Sequence, residues 1–340
     1  MFKQILVPLD GSQLAESALP VAFQLLQPAG GEVILLRSTL EMHLALPAEI
    51  IDDVQPQAPQ LLAQFRDTAA AYLATIKRQW LRPSLSIYAE VVGGDPASAV
   101  VDAAAEEGVD LIVMTSHGTS GATRWPLGSV TRRVLHAAPC SVLVLCTSHP
   151  IRRILITLDG SELAEQALAP AMEVARRLGA VVTLLHVSEP EGKHRADEAV
   201  SQRPLEHTGD SPEEYLASLA DRYPKLAQNV QTALASGPVA QCILDFASAQ
   251  HIDLIAMATH GRTGLRRWLY GSVTEKVIHD STASLLIVRP PSDALVAHRT
   301  MNEIHHRSPV VEPALSLSKC RRSIFEEVDD GSRSTTTTTV

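Results

Sequence analysis

Aromatic residues are scarce in this sequence: Phe, Tyr and Trp together make up 4% of 340 residues. Any core must then be built from Ala, Val, Leu and Ile, which the 45% hydrophobic content supplies. Cysteine is scarce as well. Cys140, Cys146, Cys242 and Cys320 form no CxxC pair and have no paired histidine spacing beside them. That pattern argues against a zinc module or a disulfide scaffold and suits reduced thiols. A basic surplus is missing too, with 29 Lys and Arg against 38 Asp and Glu and a formal charge of −9. Phosphate backbones attract basic faces, so the charge argues against a general nucleic-acid binder, and no nucleic-acid partner is expected. A small phosphate ligand is not, because backbone amides can hold one locally. No apolar run approaches the roughly 20 residues that cross a bilayer. Met1–Gln4 leads directly into an apolar strand without a signal-peptide stretch. A soluble, cytoplasmic protein with no membrane partner is expected.

Several nucleotide and hydrolase signatures are also missing. GxxxxGK[ST], GxGxxG and GxSxG do not occur. What does occur is a long internal repeat. Ile5–Leu6–Val7–Pro8–Leu9–Asp10–Gly11–Ser12 returns as Ile154–Leu155–Ile156–Thr157–Leu158–Asp159–Gly160–Ser161, with Asp10 and Asp159 149 positions apart. His117 and His260, each followed by Gly, are 143 apart. Each copy is domain-sized, so this is a tandem duplication and not a solenoid. The expected division is 1–147, 151–290 and a tail, 291–340. Pro290–Pro291 closes the last strand and the tail lacks periodicity, so it reads as disordered.

Within each copy, apolar runs alternate with helical patterns. Strands are expected near 3–9, 32–38, 85–92, 110–115 and 141–145, then 153–158, 181–187, 229–235, 253–257 and 284–288. Helices are expected near 12–27, 60–79 and 96–107, then 161–178, 212–223, 239–250 and 272–279. Pro20 and Pro170 fall inside the first helix of each copy and predict a kink there. The stretches 39–59 and 188–210 read as a loop and an insert. This order implies two tandem doubly wound α/β domains, each with a five-stranded parallel sheet. Ligands of such sheets bind beyond the carboxyl ends of the strands.

Two motifs lie at those ends. Gly118 and Gly121, followed by Gly128–Ser129–Val130, recur as Gly261 and Gly264, followed by Gly271–Ser272–Val273. Glycines admit a ligand to the backbone, and the first amides of a helix point at an anion. A plainer reading also holds, in which Ser272 and Glu275 form a capping box. Asp10 and Asp159 likewise have two readings: a local turn with the amides that follow, or an acceptor for ribose hydroxyls. His117 and His260 are candidates for a general base, but the sequence positions no partner for either, so structural hydrogen bonding is expected.

On these residues the chain, over about 1–289, resembles the universal stress proteins in their tandem form. Their nucleotide-binding subclass carries G-x2-G-x9-G-[S/T] after the fourth strand. Here nine residues separate Gly261 from Gly271, and nine separate Gly118 from Gly128. The resemblance implies an adenine-nucleotide alpha hydrolase-like, Rossmann-like fold that binds ATP or a related adenine nucleotide, with or without Mg2+, in a stress-response or signalling role. It also implies two domains meeting face to face as an intramolecular pseudo-dimer through their last strands, or a homodimer. Asp159 would contact the ribose, Val187 the adenine, and Gly261, Gly271, Ser272 and Val273 the phosphates. Asp10, Ser38, Gly118, Gly128, Ser129 and Val130 would do the same in copy one. Ala258 and Thr115 stand where the first glycine belongs. The β-branched Thr115 predicts weaker ATP binding in copy one. ATP sensing without catalysis is expected; the alternatives are a slow nucleotide hydrolase, a self-phosphorylating enzyme, or a dimerisation module without nucleotide.

Overall fold

The computed structural model describes residues 2–26, 30–39, 58–83, 85–117, 127–147, 149–188, 211–222, 230–259 and 271–289. The expectations for most of 39–59, for most of 188–210 and for the tail lie outside these residues. In the first half the elements are β1 (Gln4–Pro8), α1 (Gln13–Glu16), α2 (Ala18–Leu25), β2 (Gly31–Thr39), α3 (Ala58–Trp80), β3 (Leu85–Gly93), α4 (Pro96–Glu106), β4 (Leu111–Thr115), α5 (Ser129–Ala137) and β5 (Ser141–Leu145). The second half repeats them as β6 (Arg153–Leu158), α6 (Glu162–Glu165), α7 (Leu168–Leu178), β7 (Val181–Ser188), α8 (Pro212–Arg222), β8 (Val230–Ser236), α9 (Val239–Ala249), β9 (Leu254–Ala258), α10 (Ser272–Asp280) and β10 (Ser284–Val288).

All ten strands belong to one sheet, in the order β3-β2-β1-β4-β5-β10-β9-β6-β7-β8. Each half is a five-stranded parallel sheet, as expected. The chain leaves β1 outward to β2 and β3, then returns to β4 on the other side of β1. The switch point therefore falls between β1 and β4, and between β6 and β9. Alternate residues feed two cores. Ile5, Val7, Val33, Leu35 and Val113 pack on one face with Leu19 and Leu73. Leu6, Ile34, Leu36, Ile112 and Met114 pack on the other with Val100 and Val134. Each core contains residues of both halves.

The halves meet edge to edge, not face to face. β5 and β10 pair antiparallel, with Val142 opposite Ile287, Leu143 opposite Leu286 and Val144 opposite Leu285. By the 143-residue offset Leu143 faces its own counterpart, so a local twofold passes between these two leucines. Hydrogen bonds repeat about it: Cys146 N–H donates to Ser284 Oγ (3.2 Å) and Arg289 N–H to Ser141 Oγ (3.3 Å). An unpaired strand edge invites further pairing, and here each half covers the other's edge.

One residue breaks the symmetry. Arg289, 8% exposed, occupies the position that Cys146 holds in the first half. Its guanidinium donates to the carbonyl oxygens of Leu135 and His136. Those carbonyls end α5, where a cation is favourable. Beside them His136 is half-buried, and its pKa is lowered chiefly by burial and then by Arg289 and Arg132, against an opposing pull from Glu275. A histidine whose folded pKa lies below its unfolded value stabilises fully above the unfolded value and less as pH falls beneath it. The protein is therefore expected to be less resistant to urea at pH 5.5 than at pH 7.5. His136→Gln should flatten that difference, and an unchanged difference would assign the acid sensitivity elsewhere.

The first helix of each half is broken, where the sequence predicts a single kinked one. Proline has no N–H to give the carbonyl four residues back and its ring crowds that carbonyl. For Pro20 that residue is Glu16, the last of α1; for Pro170 it is Gln166, just after α6. At the second break Gln166 N–H bonds Leu163 O and Ala167 N–H bonds Ala164 O, both i to i−3. Among the described residues no helix is long and apolar enough to cross a membrane.

Candidate functional site

The carboxyl ends of β1 and β6 carry the Asp-Gly-Ser turns, and the two are nearly identical. Ser12 N–H (2.9 Å) and Oγ–H (2.6 Å) donate to Asp10 Oδ1. Ser161 N–H (3.0 Å) and Oγ–H (2.6 Å) donate to Asp159 Oδ1. Each serine then caps its helix by accepting from Ala15 or Ala164 N–H at 3.1 Å. Gly11 and Gly160 sit at φ +89° and +84°, which a side chain would resist. The local-turn reading of Asp10 and Asp159 is thus realised. It uses one oxygen of Asp159; among the described residues none hydrogen-bonds to the other. Asp159 is exposed and Asp10 half-buried.

Val187 and Ser38 lie on the neighbouring strands. The last ladder pair of β6 is Leu158 with His186, so Val187 extends one residue past β6 toward the same end. Ser38 lies two residues beyond the last β1 pair, Pro8 with Leu36, and its hydroxyl donates to Gly94 O at 2.7 Å.

The third element is the helix start on the far side of the switch point. Gly271 is the N-cap of α10 and Gly128 that of α5, and neither N-terminus has a side-chain capping bond. The capping box expected of Ser272 and Glu275 is absent. Ser272 is the first helical residue, not the cap, and Glu275 N–H donates to Gly271 O. Glycine cannot cap with a side chain, so the leading amides, including those of Ser272 and Val273, or Ser129 and Val130, are left for another acceptor. Ser272 and Ser129 are exposed, and Val273 and Val130 half-buried. The two glycines differ in surroundings. A Cβ on Gly128 would come 3.0 Å from Ser116 O, whereas one on Gly271 would meet no described atom within 4 Å. Gly128 is thus needed for the chain to close on itself, and Gly271 is under no such constraint from the described residues. Gly118, Gly261 and His260 lie outside the described residues.

Thr115 and Ala258 end β4 and β9. Thr115 is buried and turns its hydroxyl onto His117 O at 2.8 Å, while Ala258 is half-buried. His117 Nδ1 lies 3.3 Å from Ser116 Oγ. Thr131 binds the end of β4 to the helix by donating to Thr115 O and Ser116 O, both at 3.1 Å. Burial pushes the Cys140 thiol up to about 12 and the Cys146 thiol up to about 11, so both stay protonated at neutral pH. Among the described residues no group of three or more His, Cys, Asp or Glu is placed to hold a metal ion.

Sequence reasoning missed two contributors. Arg37, beside Ser38, packs its guanidinium against Gly11 and over the Tyr72 ring, 4.8 Å from the centroid. Arg133 bonds Asp95 at 2.6 Å and ties α5 to the cap of α4, holding the Asp95 carboxyl down at about 2. Neither motif spacing nor periodicity points to such long-range pairs.

The universal stress protein family model matches this chain twice, over residues 1–145 and 150–289. A universal stress protein of Mycobacterium tuberculosis strain H37Rv is 29% identical over 218 residues, 60% of this chain and 70% of that protein. One from Bacillus subtilis is 30% identical over 154 residues, 43% of this chain and 99% of that one. The crystal structure of a universal stress protein from Archaeoglobus fulgidus shares the fold, with TM-score 0.56 at 21% identity over 85% of this chain and 99% of that chain. The repeated β-strand ends, the uncapped helix starts and the two family-model matches converge: the chain belongs to the universal stress protein family, in its tandem form.

Proposed function

We propose that this protein binds an adenine nucleotide, ATP foremost, at the carboxyl edge of its parallel half-sheets, and that it senses the nucleotide without rapidly consuming it. The carrying observation is the uncapped N-terminus of α10, opened by Gly271, lying across the β6/β9 switch point from Asp159 and Val187. The helix dipole and free amides favour phosphate there. Asp159 has an oxygen that would accept from a ribose hydroxyl, and the Val187 backbone would hydrogen-bond the edge of the adenine. Residues Gly271, Ser272 and Val273, with Gly261, would hold the phosphates. Asp10, Ser38, Gly128, Ser129 and Val130 form the corresponding set in the first half, with Gly118. Magnesium would arrive with the phosphates, since the described residues offer no metal cluster of their own. The protonated Cys140 and Cys146 provide no thiolate for covalent chemistry, which supports a binding role.

A second reading is favoured by one observation: the Asp-Gly-Ser turns close on themselves without a ligand. Under it the chain is a pairing module, two halves joined through β5 and β10 as an intramolecular pseudo-dimer. Denaturing the purified protein and identifying released small molecules by mass spectrometry separates the readings. ATP or ADP at about one equivalent or more is expected. No released nucleotide, together with no calorimetric binding of added ATP, would leave the pairing module standing. A cytoplasmic, stress-linked role goes with the nucleotide reading.

A further inference from the structure

The two halves differ in one place that bears on ligand choice. Arg37, the residue after the last β1 pair (Pro8 with Leu36), corresponds by the 149-residue offset to His186 of β7, which still pairs with Leu158. His186 is buried, with Nδ1 3.1 Å from Leu158 O and its ring edge-on to Tyr215. One of its two ring nitrogens is thereby committed to the backbone. Arg37 is half-buried, and among the described residues none of its N–H groups makes a hydrogen bond. Its contacts are the Gly11 backbone and the face of Tyr72. The nearby Glu16 does not pair with it, because Glu16 Oε1 accepts the Tyr72 hydroxyl at 2.9 Å. That bond and burial hold the phenol protonated, well above its usual range.

A guanidinium with its fork unspent is suited to a planar, two-point grip on phosphate. It stands against the turn whose Asp10 is the ribose carboxylate of the proposed nucleotide site. In dinucleotide folds an acidic residue reads ribose hydroxyls, and a nearby arginine accommodates a phosphate on one of them. We propose that Arg37 makes the first site selective for an adenine nucleotide phosphorylated on its ribose, at the 2′ or 3′ oxygen. The second site, with His186 in that place, takes nucleotides whose ribose is unmodified. This rests on the nucleotide reading above and deepens it for one half.

The test uses the full chain carrying Gly271→Val, so that the first site is measured, and three ligands with two phosphates each: ADP, adenosine 2′,5′-bisphosphate and adenosine 3′,5′-bisphosphate. One bisphosphate is expected to bind at least about tenfold more tightly than ADP, as loss of a charge-assisted bond implies, and which one binds identifies the oxygen. Adding Arg37→Met should bring that bisphosphate level with ADP while ADP itself changes little. Arg37→Lys, which keeps the charge without the fork, should restore part of the preference. A merely structural Arg37 would weaken all three ligands alike, and that result overturns the proposal. So does equal binding of ADP and both bisphosphates, or binding of none of them by this variant while the wild-type chain binds ATP. If the wild-type chain binds no adenine nucleotide at all, the nucleotide reading itself fails.

Discussion

Gly271→Val is expected to abolish nucleotide binding at the second site while leaving the fold intact. The residue sits at φ −57° and ψ 150°, a conformation open to any amino acid. A Cβ there meets no described atom within 4 Å, so the change in stability should stay near 1 kcal/mol, the scale of N-cap substitutions. The valine branch would stand over the leading amides of α10, where phosphate oxygens would be received. Losing two charge-assisted hydrogen bonds at about 1.5–3 kcal/mol each lowers affinity by about a hundredfold or more. Titration calorimetry and thermal melting of the same sample separate the two quantities. Unchanged affinity would move the phosphate site elsewhere. The matching Gly128→Val is expected to behave differently. Its Cβ would crowd Ser116 O at 3.0 Å, an overpacking that costs about 1–3 kcal/mol. A melting temperature that drops more for Gly128→Val than for Gly271→Val would report that difference in surroundings.

Leu286→Ala should be among the most destabilising changes in the chain. Leu286 and its partner Leu143 are both fully buried, sit opposite one another across β5 and β10, and share the core that both halves build. Removing such a side chain costs the transfer of the lost methyls plus the cavity left behind, about 2–5 kcal/mol. Urea unfolding would show this as a shifted midpoint. Because the two leucines would vacate adjoining space, the double variant should depart from the sum of the singles by about 0.5 kcal/mol or more. Strict additivity would mean that the two side chains do not share a cavity, against the packing described.

Several features were legible before any coordinates because their causes are local. Apolar runs announced the strands, and the first helix of each half begins at the predicted place because Ser12 and Ser161 form caps within three residues. The duplication was visible as self-similarity, and the parallel order of each half followed from strands alternating with helices. Other features were misread, also for identifiable reasons. The pattern Ser272 to Glu275 satisfies a capping box on paper, yet Gly271 takes the cap position, since the entry of the chain from β9 decides which residue begins the helix. The kinks expected at Pro20 and Pro170 became interruptions at Ser17 and at Gln166–Ala167, which keep right-handed helical dihedrals, because each proline has no N–H for the carbonyl four residues back.

By itself, then, the sequence determined the repeat, the element order and the glycines at which two helices begin, since each can be read along the chain without knowing what packs against it. The tertiary structure alone decided that ten strands form one sheet, that Leu143 meets Leu286, that Arg289 closes a helix in the other half, and that Arg37 lies against Gly11 and Tyr72. Those outcomes join residues tens to more than a hundred positions apart. They depend on which strand edges and helix ends meet in space, and no spacing rule along the chain encodes that.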